Sequence, residues 1–474
     1  MATAVPPSSK TSDSRKISPL AVAQGRSFDD LDAIQADLIR RGVEYCVGSY
    51  VDVHGVTKGK IVPVDNFARM CRGSELYTVG ALDGMGDLGP EEDECAAVTD
   101  LASALICPWD RKLAWAACDL IWHGEPYPLC SRGVLRRVLR DTDARGWTFN
   151  LGIEPEFYVL REVGGTYEPL SPTDTLKMPG YDLRSTLDSM PFLSIMVESL
   201  KELGWGLYSF DHEGGRGQFE FDFGFASALT MADRFTFFRL MARQVAQKMG
   251  LVASFMPKPF ADDFGSGAHF NMSLADSEGR NLFVSLDGAD GQRFSSLARS
   301  FTAGILRHAK ALTALTCPLP NSYKRLTTRG LMPDITWAPV FVAYGSNNRS
   351  AMLRLPANRP CLENRAPDVS CNVYLAAAFS VAAGLDGIDQ ELDPGPPMNE
   401  NLYIASDEHL EKSAVGTLPR TLLEALEELE GDPLTDRVLG TELKKAYLKE
   451  KRLEWTEFHN QVTDAERNRW IQFF

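Results

Sequence analysis

Apolar positions recur at helical spacing between Phe28 and Arg41, where Leu31, Ile34, Leu38 and Ile39 share one face behind Ser27, a suitable N-cap. Short apolar runs follow at Tyr45–Val53, Lys60–Val64 and Ala114–Ile121, with a His54-Gly55 turn between the first two, and these predict strands. One helix and several short strands make a small α+β unit ending near Leu129. Ser131 is placed to cap a helix presenting Val134, Leu135, Val138 and Leu139. Trp147–Leu160 reads as a strand interrupted at Glu154-Pro155-Glu156. Leu187–Leu203 reads as a helix, Trp205–Asp211 and Gln218–Phe223 as strands, and Ala232–Met249 as a long helix. Ala268–Leu274 and Asn281–Val284 predict strands around a turn at Ser277-Glu278-Gly279. Leu297–Leu315, Asn372–Ala383, Arg420–Glu430 and Glu442–Gln461 predict helices, the last two laced with charge. Residues 1–28 mix Ser, Pro, Ala and charges without period, as a flexible arm does. The expected order is therefore an arm (1–28), a small N-terminal domain (29–130), and a large sheet-based domain with a helical tail (131–474).

The 474 residues are 44% hydrophobic and 24% charged, which excludes collagen, coiled coil and wholesale disorder. The longest apolar runs, such as Tyr374–Ala383, fall well short of the roughly 18 residues a membrane span needs. The first twenty-eight residues contain no apolar core of signal-peptide length. Nine cysteines, an odd number without a CxxC pair, fit reduced thiols in a cytoplasmic protein. The formal net charge of -15 disfavours nucleic acid or an anionic membrane as partner. It leaves ATP open, because a site for divalent cations itself adds carboxylates.

Two nucleotide fingerprints fail. Gly84-Met85-Gly86-Asp87-Leu88-Gly89 has the G-x-G-x-x-G spacing, but the acidic run Pro90–Glu94 that follows cannot open a phosphate-binding helix. Gly55–Lys60 is too short for a P-loop and lacks the Ser or Thr.

The informative signal is a set of carboxylates borne on strands. Glu154 and Glu156 share one face of an extended segment, as do Glu220 and Asp222 among Phe219, Phe221 and Phe223. Glu213 lies seven residues before Glu220, His269 follows Gly265-Ser266-Gly267, and Glu363 sits between Arg354 and Arg365. Converging carboxylates repel unless a cation joins them. Mg²⁺ or Mn²⁺ suits such oxygen ligands, and Mn²⁺ also accepts an imidazole. Arg325, Arg349, Arg354 and Arg365 fall in one stretch of chain and could clamp phosphate or an acidic substrate; alone they could equally be structural ion pairs. Histidines other than His269, among them His54 and His212, read as structural.

These residues resemble the glutamine synthetase family. The resemblance rests on Glu154-x-Glu156, His212-Glu213, Gly217-Gln218-Phe219-Glu220, Met256-Pro257-Lys258-Pro259, Gly265-Ser266-Gly267-x-His269, Asn321-Ser322-Tyr323-Lys324-Arg325, Asn348-Arg349-Ser350 and Glu363-x-Arg365, in that order over residues 30–465. It is strongest toward the branch that makes γ-glutamyl amides from organic amines, such as the γ-glutamylmethylamide, alkylamide and anilide synthetases. The resemblance implies an α+β chain with a small β-grasp-like N-terminal domain and a catalytic domain built on a curved antiparallel sheet. It implies homo-oligomeric rings, commonly double hexamers, with sites between neighbours. It implies ATP as co-substrate, L-glutamate and a small amine as substrates, and two or more Mg²⁺ or Mn²⁺ ions per site. By motif position, Glu156, Glu213 and Glu220 hold one metal, and Glu154, His269 and Glu363 the other. Arg325 and Arg365 match residues that bind glutamate and the transferring phosphate, and Gly265 presents its backbone to glutamate. Arg349 and Arg354 match phosphate-binding arginines, and Phe225 and Ser273 match positions near the nucleotide. Asp83 matches an aspartate that reaches into a neighbour's site and helps hold the amine.

The departures from the pattern also inform. The family's second histidine after Gly-Ser-Gly is here Asn271, an altered phosphate contact, and an Asn common before that glycine is Phe264. Ammonia-using members carry a Glu before Ala-Pro on the flap; this chain has Trp337. Exchanging Glu for Trp removes a base and a cation attractor and adds an apolar wall, which favours an alkyl or aromatic amine over ammonia. An ammonia-using synthetase and a non-catalytic scaffold of the same fold are the rival readings. Tyr403, placed like the tyrosine of the family's nucleotidylation loop, reads as an ordinary surface residue.

Overall fold

The computed structural model describes residues 30–285, 294–328, 337–356 and 358–474. The arm expected over 1–28 and the cap expected at Ser27 lie outside these residues. Among the described residues no helix is long and apolar enough to cross a membrane.

A helix at Leu31–Arg40 packs Leu31, Ile34 and Leu38 onto a small sheet. That sheet contains β1 (Tyr45–Val51), β2 (Thr57–Pro63), β3 (Leu76–Tyr77), β4 (Cys95–Thr99), β5 (Leu105–Ile106), β6 (Leu113–Trp122) and β7 (Glu125–Pro126). Its order is β2-β1-β6-β4-β3, with β1 and β6 parallel and β5 and β7 also paired to β6. The second sheet contains β8 (Thr148–Val163), β9 (Thr166–Pro169), β10 (Ser209–His212), β11 (Gln218–Asp222), β12 (Ala226–Ser227) and β13 (Val252–Ser254). It continues with β14 (Ala268–Ala275), β15 (Phe341–Ser346), β16 (Ala351–Leu355), β17 (Leu362–Asn364) and β18 (Gly416–Thr417). The order is β10-β11-β8-β14-β17-β16-β15-β18, antiparallel except for the β15–β16 pair.

Helices cover one face of this sheet. Ala228–Lys248 packs against β8 and β13, and Val373–Asp389 packs on the helices Ser131–Asp143 and Ser296–Arg307. One continuous apolar core runs from Tyr50 in the small sheet through Phe157, Phe221 and Phe238 to Leu448 in the helix Pro433–His459. The two sheets are also joined by a buried ion cluster. Arg132 is almost wholly buried and holds Asp100 (2.7 Å), Asp119 (2.9 Å) and Asp233 (2.9 Å). Tyr374 donates to the same Asp233 at 2.7 Å.

Several boundaries differ from the expected ones, each for a local reason. β8 is not interrupted at Pro155. Glu156 N–H donates to Gly267 O on the β14 side, so alternation turns the Pro155 nitrogen to the opposite edge. There it falls between the stretches paired to β12 (Leu151) and to β11 (Glu156), where no ladder bond is needed. Ser131 is not a cap: the Cys130 thiol accepts from Gly133 N–H, and Ser131 is the first helical residue, its hydroxyl donating to Val51 O. Asn281–Val284 makes only isolated bridges rather than a strand. The expected helix Leu297–Leu315 breaks at His308, whose ring is held between two aspartates. Leu187–Leu203 is divided at Ser189. The strand expected from Trp205 starts only at Ser209, because Gly204 and Gly206 adopt positive φ (68° and 69°). The last long helix spans Pro433–His459 and kinks at Gly440. All nine cysteines are free thiols, with only Cys361 partly exposed.

Candidate active site

The open face of the second sheet carries the site, and strand register assembles it. Glu154 and Glu156 lie on the same face of β8. Glu220 on β11 stands directly opposite Glu156 on one side. His269 on β14 stands directly opposite Glu154 on the other. One strand further, Glu363 on β17 faces Asn271 on β14 and Arg354 on β16. Glu213 leaves the end of β10, its N–H bonded to Gln218 O at 2.9 Å.

Ligand-type atoms of Glu154, His269 and Glu363 lie within 4.8 Å of one another, as do those of Glu156, Glu220 and His269. The first group coincides with one expected metal set. The second contains two members of the other set, with His269 where Glu213 was expected; the Glu213 carboxylate turns back onto Gly214 N–H at 3.1 Å. His269 lies between the two β8 carboxylates, Nδ1 3.3 Å from Glu154 and Nε2 3.4 Å from Glu156. Glu156 also accepts from Gly267 N–H at 2.6 Å.

The electrostatics divide the carboxylates into two kinds. Burial pushes Glu154 up, but His269 and Arg359 outweigh it and hold its pKa down to about 2. Burial likewise opposes Glu363, yet Arg365 and Arg354, each 2.6 Å away, keep it below the usual carboxylate range. Glu213 is pushed up to about 8 by burial, then by Glu156 and Asp211. Burial and the charges of Glu213, Glu154 and Glu156 push Glu220 well up. Asp222 rises to about 7 through burial and Glu154. Asp211 and Asp222 each bury one carboxylate oxygen with no hydrogen-bond partner in the described chain. Carboxylate oxygens with one imidazole, several of them mutually repelling, fit hard divalent cations.

A cleft of about 740 Å³ opens over this face. Its basic wall is braced. Arg325 donates to Ala366 O (2.7 Å) and Arg365 O (3.1 Å). Arg354 reaches both Asn347 (2.6 Å) and Glu363. Arg349 is exposed at the cleft and makes no hydrogen bond among the described residues; partial desolvation, then Arg354 and Arg365, lowers its pKa. Phe264, Trp337, Met178 and Tyr181 add apolar surface to the cleft lining. Phe264 lies flat where a Gly214 side chain would stand, 2.9 Å from that position. Gly265 lines the cleft too, and Arg325 packs where its side chain would be.

Of the expected site residues, the structure gathers Glu154, Glu156, Glu213, Glu220, His269, Gly265, Arg325, Trp337, Arg349, Arg354 and Arg365 around this cleft. Glu363 is buried just behind it, touching three arginines. Asn271 donates to Glu154 at 3.1 Å, and Ser273 follows on the same face of β14. Phe225 is 69% exposed and approaches Gly152 beside Asn271, outside the cleft lining. Asp83 is not gathered: it is exposed on a loop of the small-sheet region, 3.8 Å from His54. His212 uses both ring nitrogens, on Asp174 (2.8 Å) and Glu213 O (2.7 Å). Tyr403 is partly exposed and leans on Phe341.

Sequence reasoning missed Arg359, which pairs with Glu154 at 2.8 Å and Glu363 at 3.6 Å. It also missed Asp211 and Tyr181 as cleft residues, and placed Asp222 only on the face of Glu220. Alternation along β10 and β11 was the available signal for the two aspartates, since Asp211 pairs with Glu220. Tyr181 carried none; its positive φ (65°) and its N–H bond to His212 O belong to tertiary structure.

The arrangement defines a class. The glutamine synthetase catalytic domain matches residues 128–470. The chain is 42% identical to the glutamate–methylamine ligase of Methyloversatilis universalis over 91% of this chain and 97% of that one. It is 35% identical to a glutamine synthetase of Rhizobium leguminosarum, over 93% and 98%. The solved structure "GmaS/ADP complex-Conformation 1" superposes with a TM-score of 0.85 at 34% identity, covering 92% of this chain and 99% of that one. The chain belongs to the glutamine synthetase family, the ATP-dependent ligases that join glutamate to an amine.

Proposed function

We propose that the protein joins the γ-carboxylate of L-glutamate to an organic amine, alkyl or aromatic, through a γ-glutamyl phosphate. The observation that carries the choice of amine is Trp337 in the cleft lining, where ammonia-using members keep a carboxylate. The similarity to a ligase named for methylamine supports it. The cations would sit with Glu154, His269 and Glu363, and with Glu156, Glu220 and Glu213. When bound they supply charge neutralisation on the phosphates.

The chain's own residues do the rest. Arg325 and Arg365 hold glutamate and the migrating phosphoryl group, while Arg349 and Arg354 offset its charge in a partly dry cleft. A γ-carboxylate oxygen bonds to the terminal phosphorus, and the bond to ADP breaks. Amine nitrogen then bonds to the acyl carbon, inorganic phosphate leaves, and the nitrogen loses a proton. A protonated alkylamine must shed one more proton beforehand; an aromatic amine enters neutral. Phe225, Asn271 and Ser273 lie toward the nucleotide.

In the same reading, residues 29–130 form a domain distinct from 131–474. Subunits assemble into a double-hexameric ring in which Asp83 serves the amine site of a neighbour. The protein works in the cytoplasm.

Phosphate release with glutamate, ATP and a panel of ammonia, methylamine, isopropylamine and aniline tests the reading, with product mass measured. An organic amine is expected to exceed ammonia in kcat/KM by at least about ten-fold. Ammonia as the best acceptor overturns the amine assignment. Turnover that survives Glu156→Ala overturns the metal assignment.

A further inference from the structure

The loop bearing Asp83 is seated on the β1–β2 turn and the helix Pro433–His459. Gly84 has a φ of 69°, and a Cβ there would stand 2.5 Å from Val53 Cγ2, 3.0 Å from His54 Nε2 and 3.3 Å from Glu450 Cγ. No side chain fits such a contact. The His54 Nε2 atom is buried, makes no hydrogen bond among the described residues, and lies 3.8 Å from Asp83 Oδ2. His54 itself is fixed by its backbone, its N–H donating to Asp52 Oδ1 at 3.0 Å.

The turn is anchored in turn to the segment that carries Arg365. Arg239 is buried and donates to Gly55 O (2.7 Å), Val369 O (3.2 Å) and Cys371 O (3.4 Å). Asn372 Nδ2 donates to Asp52 O at 2.8 Å. Gly55, with φ of 82°, lies so close to the Asn372 backbone that a Cβ would meet it at 3.2 Å. At its other end this segment is gripped by Arg325 through Arg365 O and Ala366 O. One short stretch of chain thus touches a cleft arginine at one end and the His54 turn at the other. Three carbonyls accept from this buried guanidinium.

We infer that His54 is a positioning residue for Asp83: its ring, held through Gly55 and Arg239 on the Arg365–Asn372 segment, sets where the Asp83 carboxylate is presented to the amine. The inference rests on the reading that Asp83 helps hold the amine. It places amine affinity partly under the control of a turn that contacts no substrate.

The test is steady-state kinetics of the assembled enzyme for Asp83→Ala, His54→Ala, His54→Gln and the double variant D83A/H54A. Asp83→Ala and His54→Ala are each expected to raise the amine KM about ten-fold, with the KM for ATP within about two-fold. His54→Gln, which keeps a polar donor facing Asp83, is expected to recover most of the loss. The double variant is expected to be no worse than Asp83→Ala alone, because His54 acts through that carboxylate. A raised amine KM in Asp83→Ala with no effect of His54→Ala, or with additive effects, overturns the positioning role and leaves the Asp83 reading intact. An unchanged amine KM in Asp83→Ala overturns the Asp83 reading, and the positioning role with it. Gly84→Ala, expected to match His54→Ala, guards against a His54 variant that fails to fold.

Discussion

Glu156 stands directly opposite Glu220 in the ladder between β8 and β11. Like charges in directly opposed positions destabilise a sheet, and here both are buried. The pair makes sense as half of a cation site, and its strain gives the metal reading measurable consequences.

The raised carboxyls bind protons in the folded chain that the unfolded chain has released. Stability of the metal-free protein should therefore fall as pH rises from about 4.5 toward 8. Glu213 near 8 and Asp222 near 7 set the upper part of that window. Mg²⁺ binding at pH 7 should expel protons, and should raise Tm more at pH 8 than at pH 6. Calorimetry in buffers of different ionisation enthalpy measures this. Metal binding without proton release at pH 7 would contradict the electrostatic account.

Glu220→Gln should act in opposite senses on stability and activity. Removing one of the opposed charges should stabilise the metal-free protein by about 1 kcal/mol. Amide-forming turnover should drop about a hundred-fold or more. Denaturant melts without metal, set beside phosphate-release rates, give both numbers. A variant that is less stable and still active would point to a structural glutamate.

Trp337→Glu restores a carboxylate at the cleft wall. The ratio of kcat/KM for the best organic amine to that for ammonia should fall at least about ten-fold, chiefly through the organic amine. An unchanged ratio would remove Trp337 from the specificity argument.

His308 offers a pH test remote from the chemistry. It sits between Asp432 (2.7 Å) and Asp386 (3.2 Å) at the break between two helices. Burial lowers its pKa, but the two aspartates outweigh burial and raise it. A raised histidine contributes stability fully below about pH 6.5, and loses it as pH climbs through the folded value. His308→Gln should therefore destabilise by about 2 kcal/mol at pH 6 and by less at pH 9. Equal losses at the two pH values would mean the ring acts by packing alone.

Much of the site was legible because strand alternation is a local rule. Glu154 with Glu156 needed only a period of two. What the chain could not show was which residues of distant strands come into register. Glu154 meeting His269, and Arg359 reaching Glu154, are facts of pairing across more than a hundred positions. Pro155 shows the same limit in reverse: a proline reads as a break, yet here its nitrogen faces an edge that asks for no bond. Ser131 failed as a cap because its neighbour's thiol took the role, and His308 broke a helix through partners that no helical period announces.

The ligand set has one further consequence. Its members sit on four strands and one connecting loop, and Glu154 and Glu363 are more than two hundred residues apart in the chain. No fragment that lacks β8, β11, β14 or β17 can own this site. Divalent-cation affinity therefore reports whether the entire sheet has closed, and a nascent or nicked chain should be blind to Mg²⁺ until the strand bearing Glu363 has docked.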